Sequence, residues 1–355
     1  MRDIDNLKII DCTFRDGGHL NNWNFKKDLV KEAYKASSLC GTDYFEIGYI
    51  SSKKYLTNKN FGIWRFSMDD DIRDVICEIN GSKISVMADY NKIDFKDIPK
   101  FNDSIISVIR IATYVNDLKE SLNLGERLMN DGYEVFINLM GITAYSREDL
   151  INALEMIYHS PIKNIVIADS FGSLLPSDVS KIISIFKLTE KRIGFHAHNN
   201  LQMAFANSCT AIEGGADFID ATIYGVGRAA GNLPLELLIA YMENINKDKY
   251  NIIPLLKLIN DKFLKLSEEL HWGYSLKYML TGTASIHPNY ASELLDKSSL
   301  DIEAVWNTMN NISNLKTPSS FNKNLLNKNS ILNTETKDSF IDLLSRFSKK
   351  IFDER

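Results

Sequence analysis

The residues whose types and spacing most clearly suggest chemistry in this chain are two histidines, His196 and His198. They end a short apolar run that predicts a strand, and side chains two positions apart in a strand point to the same face. Both imidazoles would therefore project together where the strand meets a loop. Because neutral imidazole is the commonest protein ligand for transition metals, the pair is half of a divalent-metal site. The alternative is two ordinary polar residues at a strand end.

The elements that must position this pair are short apolar runs that alternate with amphipathic segments. The predicted strands are 7–12, 44–48, 84–87, 105–111, 133–139, 162–168, 193–196 and 218–222. The predicted helices are 28–39, 70–79, 116–130, 147–158, 176–187 and 201–213. Because strands separated by helices pair in parallel, this pattern predicts an α/β fold, a (β/α)8 TIM barrel with a C-terminal helical extension. A doubly wound open sheet is the alternative, but its first strand would be followed by a glycine-rich phosphate turn rather than Arg-Asp-Gly-Gly-His.

The alternation ends near residue 236, which predicts two domains: the barrel over 1–236 and a helical domain over 237–355. Residues 51–68 are polar and aromatic without a clear period, so we expect an irregular excursion there. Residues 337–352 have the pattern of a final amphipathic helix.

Composition limits the classes of function. The formal net charge of −5 gives no electrostatic basis for binding nucleic acid or an anionic membrane. The four cysteines lack the spacing of a zinc site, so we expect free thiols in a reducing compartment. Because no apolar segment opens the chain, we expect no signal peptide and a cytoplasmic protein.

Polar residues after the strands should meet at one mouth of the barrel, where active sites of this architecture lie. Asp16 follows the first strand, and with the two histidines it gives a mixed nitrogen and oxygen set that suits a catalytic divalent ion. Such a set accepts Mn2+, Mg2+, Co2+ or Zn2+, and the ligand types alone do not choose among these metals. Further polar residues at these strand ends are Arg15, His19, Glu46, Arg110, Asn138, Asp169, Ser170 and Thr222.

Each of these residues also has an ordinary structural interpretation. Asp16 could cap a loop, Arg15 could pair with a surface carboxylate, and Glu46 could be a salt-bridge partner. The glycine-rich run 225–231 could be a plain turn, although its length suits a close approach of backbone to a ligand. We favour the functional interpretation because so many polar residues would rarely fall by chance at strand ends that meet at one mouth.

Four motifs of the chain resemble one superfamily, the DRE-TIM metallolyases. The run 11–17 (Asp-Cys-Thr-Phe-Arg-Asp-Gly) resembles their Asp-x-Thr-x-Arg-Asp-Gly signature, and 195–200 (Phe-His-Ala-His-Asn-Asn) resembles their second. The run 225–236 is similar to their third signature, and 169–172 to their motif after strand 6. The similarity points to an HMGL-like pyruvate carboxyltransferase domain, with the 4-hydroxy-2-oxovalerate aldolase-like proteins as the nearest branch.

The resemblance implies roles for individual residues. Asp16, His196 and His198 would bind the divalent ion, and Asn232 matches a fourth ligand in some members. Arg15 would stabilise an enolate oxygen, and His19 matches the general base of the aldolase branch. The implied reaction is that of a lyase: cleavage or formation of a 4-hydroxy-2-oxo acid, giving pyruvate and an aldehyde through a pyruvate enolate held on the metal. We assign substrate binding to the remaining polar residues listed above.

The alternative function is a Claisen-type synthase that uses an acyl-CoA, like the isopropylmalate and homocitrate synthases. The aldolases place a tyrosine over the site, where our alignment puts Ala284, and His287 or Tyr290 could replace it. The stretch 20–25 and the excursion 51–68 also differ, so we expect a different aldehyde, larger or sugar-like. The resemblance further implies a homo-oligomer and an aldehyde dehydrogenase partner.

Overall fold

A closed barrel of eight parallel strands lies at the centre of the fold. The computed structural model describes residues 6–56, 60–76, 81–295, 302–314, 321–323 and 325–326. Each strand pairs with the next, and the last pairs with the first, where Lys8 lies opposite Phe218. The strands are β1 (Lys8–Asp11), β2 (Tyr44–Ile50), β3 (Lys83–Asp89), β4 (Val108–Thr113), β5 (Glu134–Leu139), β6 (Asn164–Asp169), β7 (Arg192–Ala197) and β8 (Phe218–Ala221). The predicted (β/α)8 barrel is confirmed.

Helices surround the barrel and continue after it. They are α1 (Thr13–Asn21), α2 (Lys27–Leu39), α3 (Asp69–Arg73), α4 (Leu118–Asn130), α5 (Arg147–His159), α6 (Pro176–Lys187), α7 (Ala204–Glu213), α8 (Leu235–Ile245), α9 (Ile253–Leu258), α10 (Leu264–Leu270), α11 (Leu276–Ala284), α12 (Asn289–Leu295) and α13 (Ile302–Ser313). A π-helical turn, Ile259–Phe263, joins α9 to α10. The predicted C-terminal helices are therefore present.

Two local predictions need correction. Within the described residues, the helix predicted over 70–79 is shorter: α3 ends at Arg73, and Ile72 is its only buried residue, so little apolar surface holds a longer helix. Residues 77–79 of that prediction lie outside the described residues. Residues 13–21, expected as a loop, form α1 although Gly18 lies inside it. A side chain at Gly18 would stand 2.1 Å from the Trp23 ring, so the indole fills that space and packs on the helix. The helix predicted over 337–352 lies outside the described residues.

The barrel interior is built in layers, because alternate residues of each strand point inward. The lower layer is apolar and consists of Ile10, Tyr44, Val108, Phe136, Val166 and Phe218. The rings of Phe136 and Phe218 meet edge to face with centroids 4.8 Å apart. Two positions further along the strands, the next layer carries polar side chains: Cys12, Glu46, Arg110, Asn138, His196 and Asp220. The apolar layer is thus the floor on which this buried polar layer rests.

Strand β2 carries an irregularity that brings the excursion 51–68 against the barrel. Its pairing with β3 shifts register between Glu46 and Gly48, as in a β-bulge. At Gly48, an added Cβ would stand 2.1 Å from the carbonyl oxygen of Trp64. Trp64 is fully buried, and its Nε1 donates to the carbonyl oxygen of Phe25 at 2.9 Å. The described residues of the excursion, 51–56 and 60–68, are therefore irregular apart from two short 3-10 turns, as expected, and Trp64 packs them against the barrel.

The helices after the barrel divide between two apolar clusters. Buried residues of α8, α9 and the π-helical turn, such as Leu238 and Phe263, belong to the cluster around the barrel. Residues of α11 to α13, such as Leu280 and Met309, form a cluster of their own. The predicted domain boundary at 236/237 falls inside α8 and stays a prediction. Over the described residues, none of the helices combines the length and apolar character that crossing a bilayer requires.

Replacing Gly48 with alanine should destabilise the fold, because the new methyl group meets backbone that cannot move aside. We expect Gly48→Ala to lower the free energy of unfolding by roughly 2 kcal/mol, measured by urea denaturation. Gly273→Ala is the matched control: nothing lies within 4 Å of its Cβ position, and only its positive φ of 110° opposes alanine. An equal or larger loss in the control would contradict this account.

Candidate active site

Helix α1 carries the residues that follow the first strand. Oδ1 of Asp11, the last residue of β1, accepts the backbone N–H of Thr13 at 2.9 Å and so helps to start the helix. Trp23 Nε1 donates to the carbonyl oxygen of Arg15 at 2.9 Å and holds the first turn. Arg15 and Asp16 are thereby buried against the mouth of the barrel, 6% and 2% exposed.

Three side chains at this mouth have the arrangement of a metal site. One donor atom from each of Asp16, His196 and His198 lies within 4.8 Å of the others. His196 Nε2 and His198 Nδ1 are buried, and neither has a hydrogen-bond partner among the described residues. Because buried nitrogen atoms without partners are costly, a shared cation is the natural occupant. Two imidazoles and a carboxylate fit a catalytic divalent ion.

Asn232 lies beside this cluster. It forms an isolated antiparallel bridge with His198, and its Nδ2 donates to the carbonyl oxygen of Val226 at 3.1 Å. Its buried Oδ1 has no hydrogen-bond partner in the described part of the chain. A Cβ on Gly227 would stand 2.1 Å from Asn232 Nδ2 and 2.8 Å from Asp16 Oδ1. The glycine-rich run therefore approaches the cluster more closely than any side chain would permit.

Six buried side chains, namely two arginines, three carboxylates and one imidazole, join into a closed ring that reaches the mouth. The members of this charge ring are Asp16, Arg15, Glu46, Arg110, Asp220 and His196. Arg15 donates to Asp16 at 2.5 Å and to Glu46 at 2.7 Å. Arg110 donates to Glu46 at 3.1 Å and to Asp220 at 2.5 Å. His196 closes the ring, with Nδ1 3.0 Å from Asp220 and Nε2 3.5 Å from Asp16.

The ring sets the protonation of the cluster. Burial alone would raise the pKa of Asp16, but Arg15 and His196 outweigh it and hold that pKa well below its usual value. Burial raises and Arg110 lowers the pKa of Asp220, with a net depression. Burial lowers the pKa of His198 to about 3. Asp16 as a carboxylate and His198 as a neutral imidazole are therefore in the forms that bind metal. Burial lowers the pKa of His196, but hydrogen bonds with Asp16 and Asp220 outweigh burial and raise that pKa, so a cation bound there would displace a proton from His196 as the pH falls.

A cavity of about 290 Å³ opens directly above the cluster. Its lining contains seven of the predicted site residues: Arg15, Asp16, His19, Asn138, Ser170, His196 and His198. The ring of His19 contacts Trp23 and Tyr49, with centroids 4.7 and 6.3 Å away. His19 is exposed and lines the cavity, and desolvation by the groups around it lowers the pKa of its imidazole. Asn138 Oδ1 is buried without a partner among the described residues.

Four predicted substrate-binding residues do not line this cavity. Glu46 and Arg110 are fully buried in the charge ring. Asp169 accepts the backbone N–H groups of Ser173 and Leu174, and burial raises its pKa to about 6. Thr222 is fully buried, and its backbone N–H is bonded to Leu233. Their placement favours a supporting role, and substrate contact by these four stays a prediction without structural support.

Two residues of the site were not predicted. Asp220 orients His196, and its signal in the sequence is a charge at an inward position of an apolar strand. Arg228 donates its backbone N–H to Asp16 Oδ1 at 3.0 Å and lines the cavity. It lies inside the glycine-rich run, for which the sequence predicted a close approach of backbone to a ligand and no role for a side chain.

The two residues considered as replacements for the aldolases' tyrosine differ in their surroundings. Ala284 and Tyr290 are buried in the cluster of α11 to α13. His287 Nε2 lies 3.3 Å from the Arg228 guanidinium. Of the two replacements considered, His287 therefore reaches the edge of the cavity through Arg228.

Comparison with known proteins identifies the class to which this fold and site belong. The HMGL-like family model matches residues 6–260, and the chain belongs to this family, within the DRE-TIM superfamily of metal-dependent aldolases and lyases. It is 28% identical over 243 residues to the 4-hydroxy-2-oxovalerate aldolase of Geobacillus genomosp. 3, covering 67% of this chain and 71% of that protein. It is 25% identical over 238 residues to the oxaloacetate decarboxylase of Mycobacterium tuberculosis, covering 66% and 68%.

A solved structure is also similar. The N-terminal domain of a provisionally named aldolase from Bacteroides vulgatus superposes with a TM-score of 0.72 at 29% identity. The match covers 82% of this chain and 97% of that one. The similarity thus extends past the barrel into the helices that follow it.

Asp220 should matter for metal binding although it does not line the cavity. Asp220→Asn keeps the shape but weakens the acceptor that holds His196, so we expect a loss of about 10- to 100-fold in Mn2+ affinity by isothermal titration calorimetry. Asp217→Asn is the matched control, since Asp217 bonds Lys187 and the backbone of Ile193 at the opposite end of the barrel. Equal affinities for Asp220→Asn and the unmodified protein would show that this support is dispensable.

Proposed function

We propose that this protein is a divalent-metal-dependent aldolase that cleaves or forms a 4-hydroxy-2-oxo acid, yielding pyruvate and an aldehyde. The observation that carries the proposal is the presence of His19 and the cluster of Asp16, His196 and His198 in the lining of one cavity. A base and a cation site that share one cavity are what this reaction requires. The family assignment and the aldolase relatives support the same class.

Asp16, His196 and His198 would hold the ion, with Asn232 Oδ1 as a fourth donor. When bound, the ion supplies Lewis acidity to the oxygens of a 2-oxo acid. We expect Mn2+ or Mg2+, and Co2+ or Zn2+ are the alternatives to be tested.

His19 would move the proton of the substrate hydroxyl. In cleavage, the hydroxyl proton passes to His19, the bond between C3 and C4 breaks, and the aldehyde carbonyl forms. The pyruvate enolate left behind takes one proton at C3 and becomes pyruvate, so protons and electrons balance. Because the lowered pKa of His19 keeps it neutral at pH 7, it is in the form that accepts a proton.

Arg15 would stabilise the enolate. Its guanidinium lines the cavity while Glu46 and Asp16 fix it from below. A donor held in advance by two buried carboxylates needs little reorganisation when negative charge develops on the substrate oxygen. Asn138 and Ser170 line the same cavity and are the remaining candidates for polar contact with the substrate.

Related reactions remain to be distinguished by substrate. A Claisen-type synthase would release free CoA from acetyl-CoA and a 2-oxo acid, and a decarboxylase like the relative from M. tuberculosis would release CO2 from oxaloacetate. A homo-oligomer, an aldehyde dehydrogenase partner and a cytoplasmic location stay predictions that rest on the resemblance and on composition. Size-exclusion chromatography with light scattering tests the oligomer.

Removal of the proposed base should abolish turnover without removing the metal. We expect His19→Ala to lower kcat for pyruvate release from 4-hydroxy-2-oxovalerate by about 10²- to 10⁴-fold. Pyruvate release is measured with Mn2+, Mg2+, Co2+ and Zn2+, and metal affinity is measured separately. His159→Ala, an exposed histidine at the end of α5, is the control and should be fully active.

Asp16→Asn should instead lose metal binding together with activity. If none of the metals gives turnover of any 2-oxo acid, the proposed function is wrong. Full activity of His19→Ala would contradict only the role of His19.

A further inference from the structure

One part of the cavity lining has no role so far. It comes from the end of β3 and the loops after β3 and β4, and consists of Asp89, Asn91, Lys92, Tyr114 and Asp117. Each of these side chains carries at least one hydrogen-bonding or charged group. No role in metal binding or proton transfer has been assigned to them. They form a polar wall, the name kept below for these five residues.

The polar wall is continuous with the proposed base. Next to His19 lies Tyr49, whose ring centroid is 4.0 Å from the guanidinium of Arg65. Arg65 is 4% exposed and also lies 4.5 Å from the Trp23 ring. Its guanidinium approaches Asp89 to 4.0 Å, and Asp89 pairs with Lys92. Through Arg65, the excursion thus connects Asp89 of the polar wall to the aromatic residues beside His19.

The two loops also hold each other. Asn91 Nδ2 donates to Asp117 Oδ2 at 2.8 Å, from the loop after β3 to the loop after β4. A carboxylate has about four acceptor positions and an ammonium three donors, so these pairs leave capacity on both kinds of group. The wall can therefore accept and donate hydrogen bonds at once.

The charges of the wall select the ligand. An alkyl chain would remove these groups from water and return no hydrogen bonds. A phosphate or carboxylate would meet Lys92, but it would also face the carboxylates of Asp89 and Asp117. Hydroxyl groups donate to the carboxylates and accept from Lys92 and Asn91, so a neutral hydroxylated chain matches the wall best.

We propose that the polar wall is the subsite for the aldehyde, and that this aldehyde is a neutral polyhydroxylated one, of the aldose type. The inference rests on the proposed function, since it names the substrate half that His19 would serve. Asn91 and Asp117 would be specificity-determining residues.

The test compares aldehydes as acceptors for pyruvate. Condensation with erythrose, glyceraldehyde, propanal and glyceraldehyde 3-phosphate is measured as kcat/KM with Mn2+. We expect erythrose or glyceraldehyde to exceed propanal at least 10-fold, and to exceed the phosphorylated aldehyde. A preference for propanal or for the phosphate would overturn the inference.

Variants of the polar wall then assign the preference to residues. Asp117→Leu should lower the ratio of kcat/KM for erythrose to that for propanal at least 10-fold, and Asp117→Asn, which still accepts a hydrogen bond, should lower it less. Asp131→Leu, an exposed carboxylate after α4, is the control and should keep the ratio. An unchanged ratio in Asp117→Leu would overturn the assignment to this residue.

A separate readout distinguishes this inference from the proposed function. Exchange of the pyruvate methyl protons in D2O needs metal and enolate chemistry but no aldehyde. Metal-dependent exchange together with a preference for propanal would overturn the subsite alone. Absence of exchange with all four metals would overturn the proposed function itself.

Discussion

The closed ring of opposite charges inside the barrel is the interaction on which the site depends. A single buried carboxylate or guanidinium would be strongly unfavourable, and each charged member of the ring is acceptable only because its neighbours carry the opposite charge. Two arginines face three carboxylates, Asp16, Glu46 and Asp220, and His196 completes the circuit. Of the three carboxylates, Asp16 is the one that would also contact the cation. The ring therefore aligns the metal-binding groups and supplies the field that attracts the metal.

The layered interior explains why the ring can exist. The apolar layer below the ring excludes water. In this low-dielectric setting paired charges interact strongly, whereas an unpaired charge would be costly. Every second residue of a strand points into the barrel. Several strands that contribute apolar residues to the lower layer therefore also contribute residues to the ring, so the fold and the site share one set of strands. Changes to Arg110 would consequently disturb folding and chemistry together, even though Arg110 does not line the cavity.

Much of the fold and of the candidate site could be predicted from the sequence, because both depend on the spacing of apolar residues and on the order of strands and helices along the chain. The eight strands follow from apolar runs, and the strand-end rule brought Asp16 and the two histidines to one mouth. The sequence could not indicate depth: Glu46 and Arg110 are strand residues like Asn138, yet Asn138 lines the cavity and the other two do not. Helix α1 was missed because Gly17-Gly18 is typical of a turn, and only the packing of Trp23, remote from local propensity, makes it helical. Asp220 was missed because the strand-end rule points to Thr222, the last residue of the same predicted strand, as the polar residue of that strand.

The pairing of β1 with β8 has a consequence for how the protein comes to have a site at all. Asp16 belongs to the first βα unit and His196 to the seventh, so the groups that would hold the ion come together only when the two ends of the sheet have joined. A partly closed barrel would lack the complete ligand set, however well its individual strands had formed. An ion that binds only the closed form would stabilise the closed barrel by mass action, and more strongly as the concentration of the ion rises.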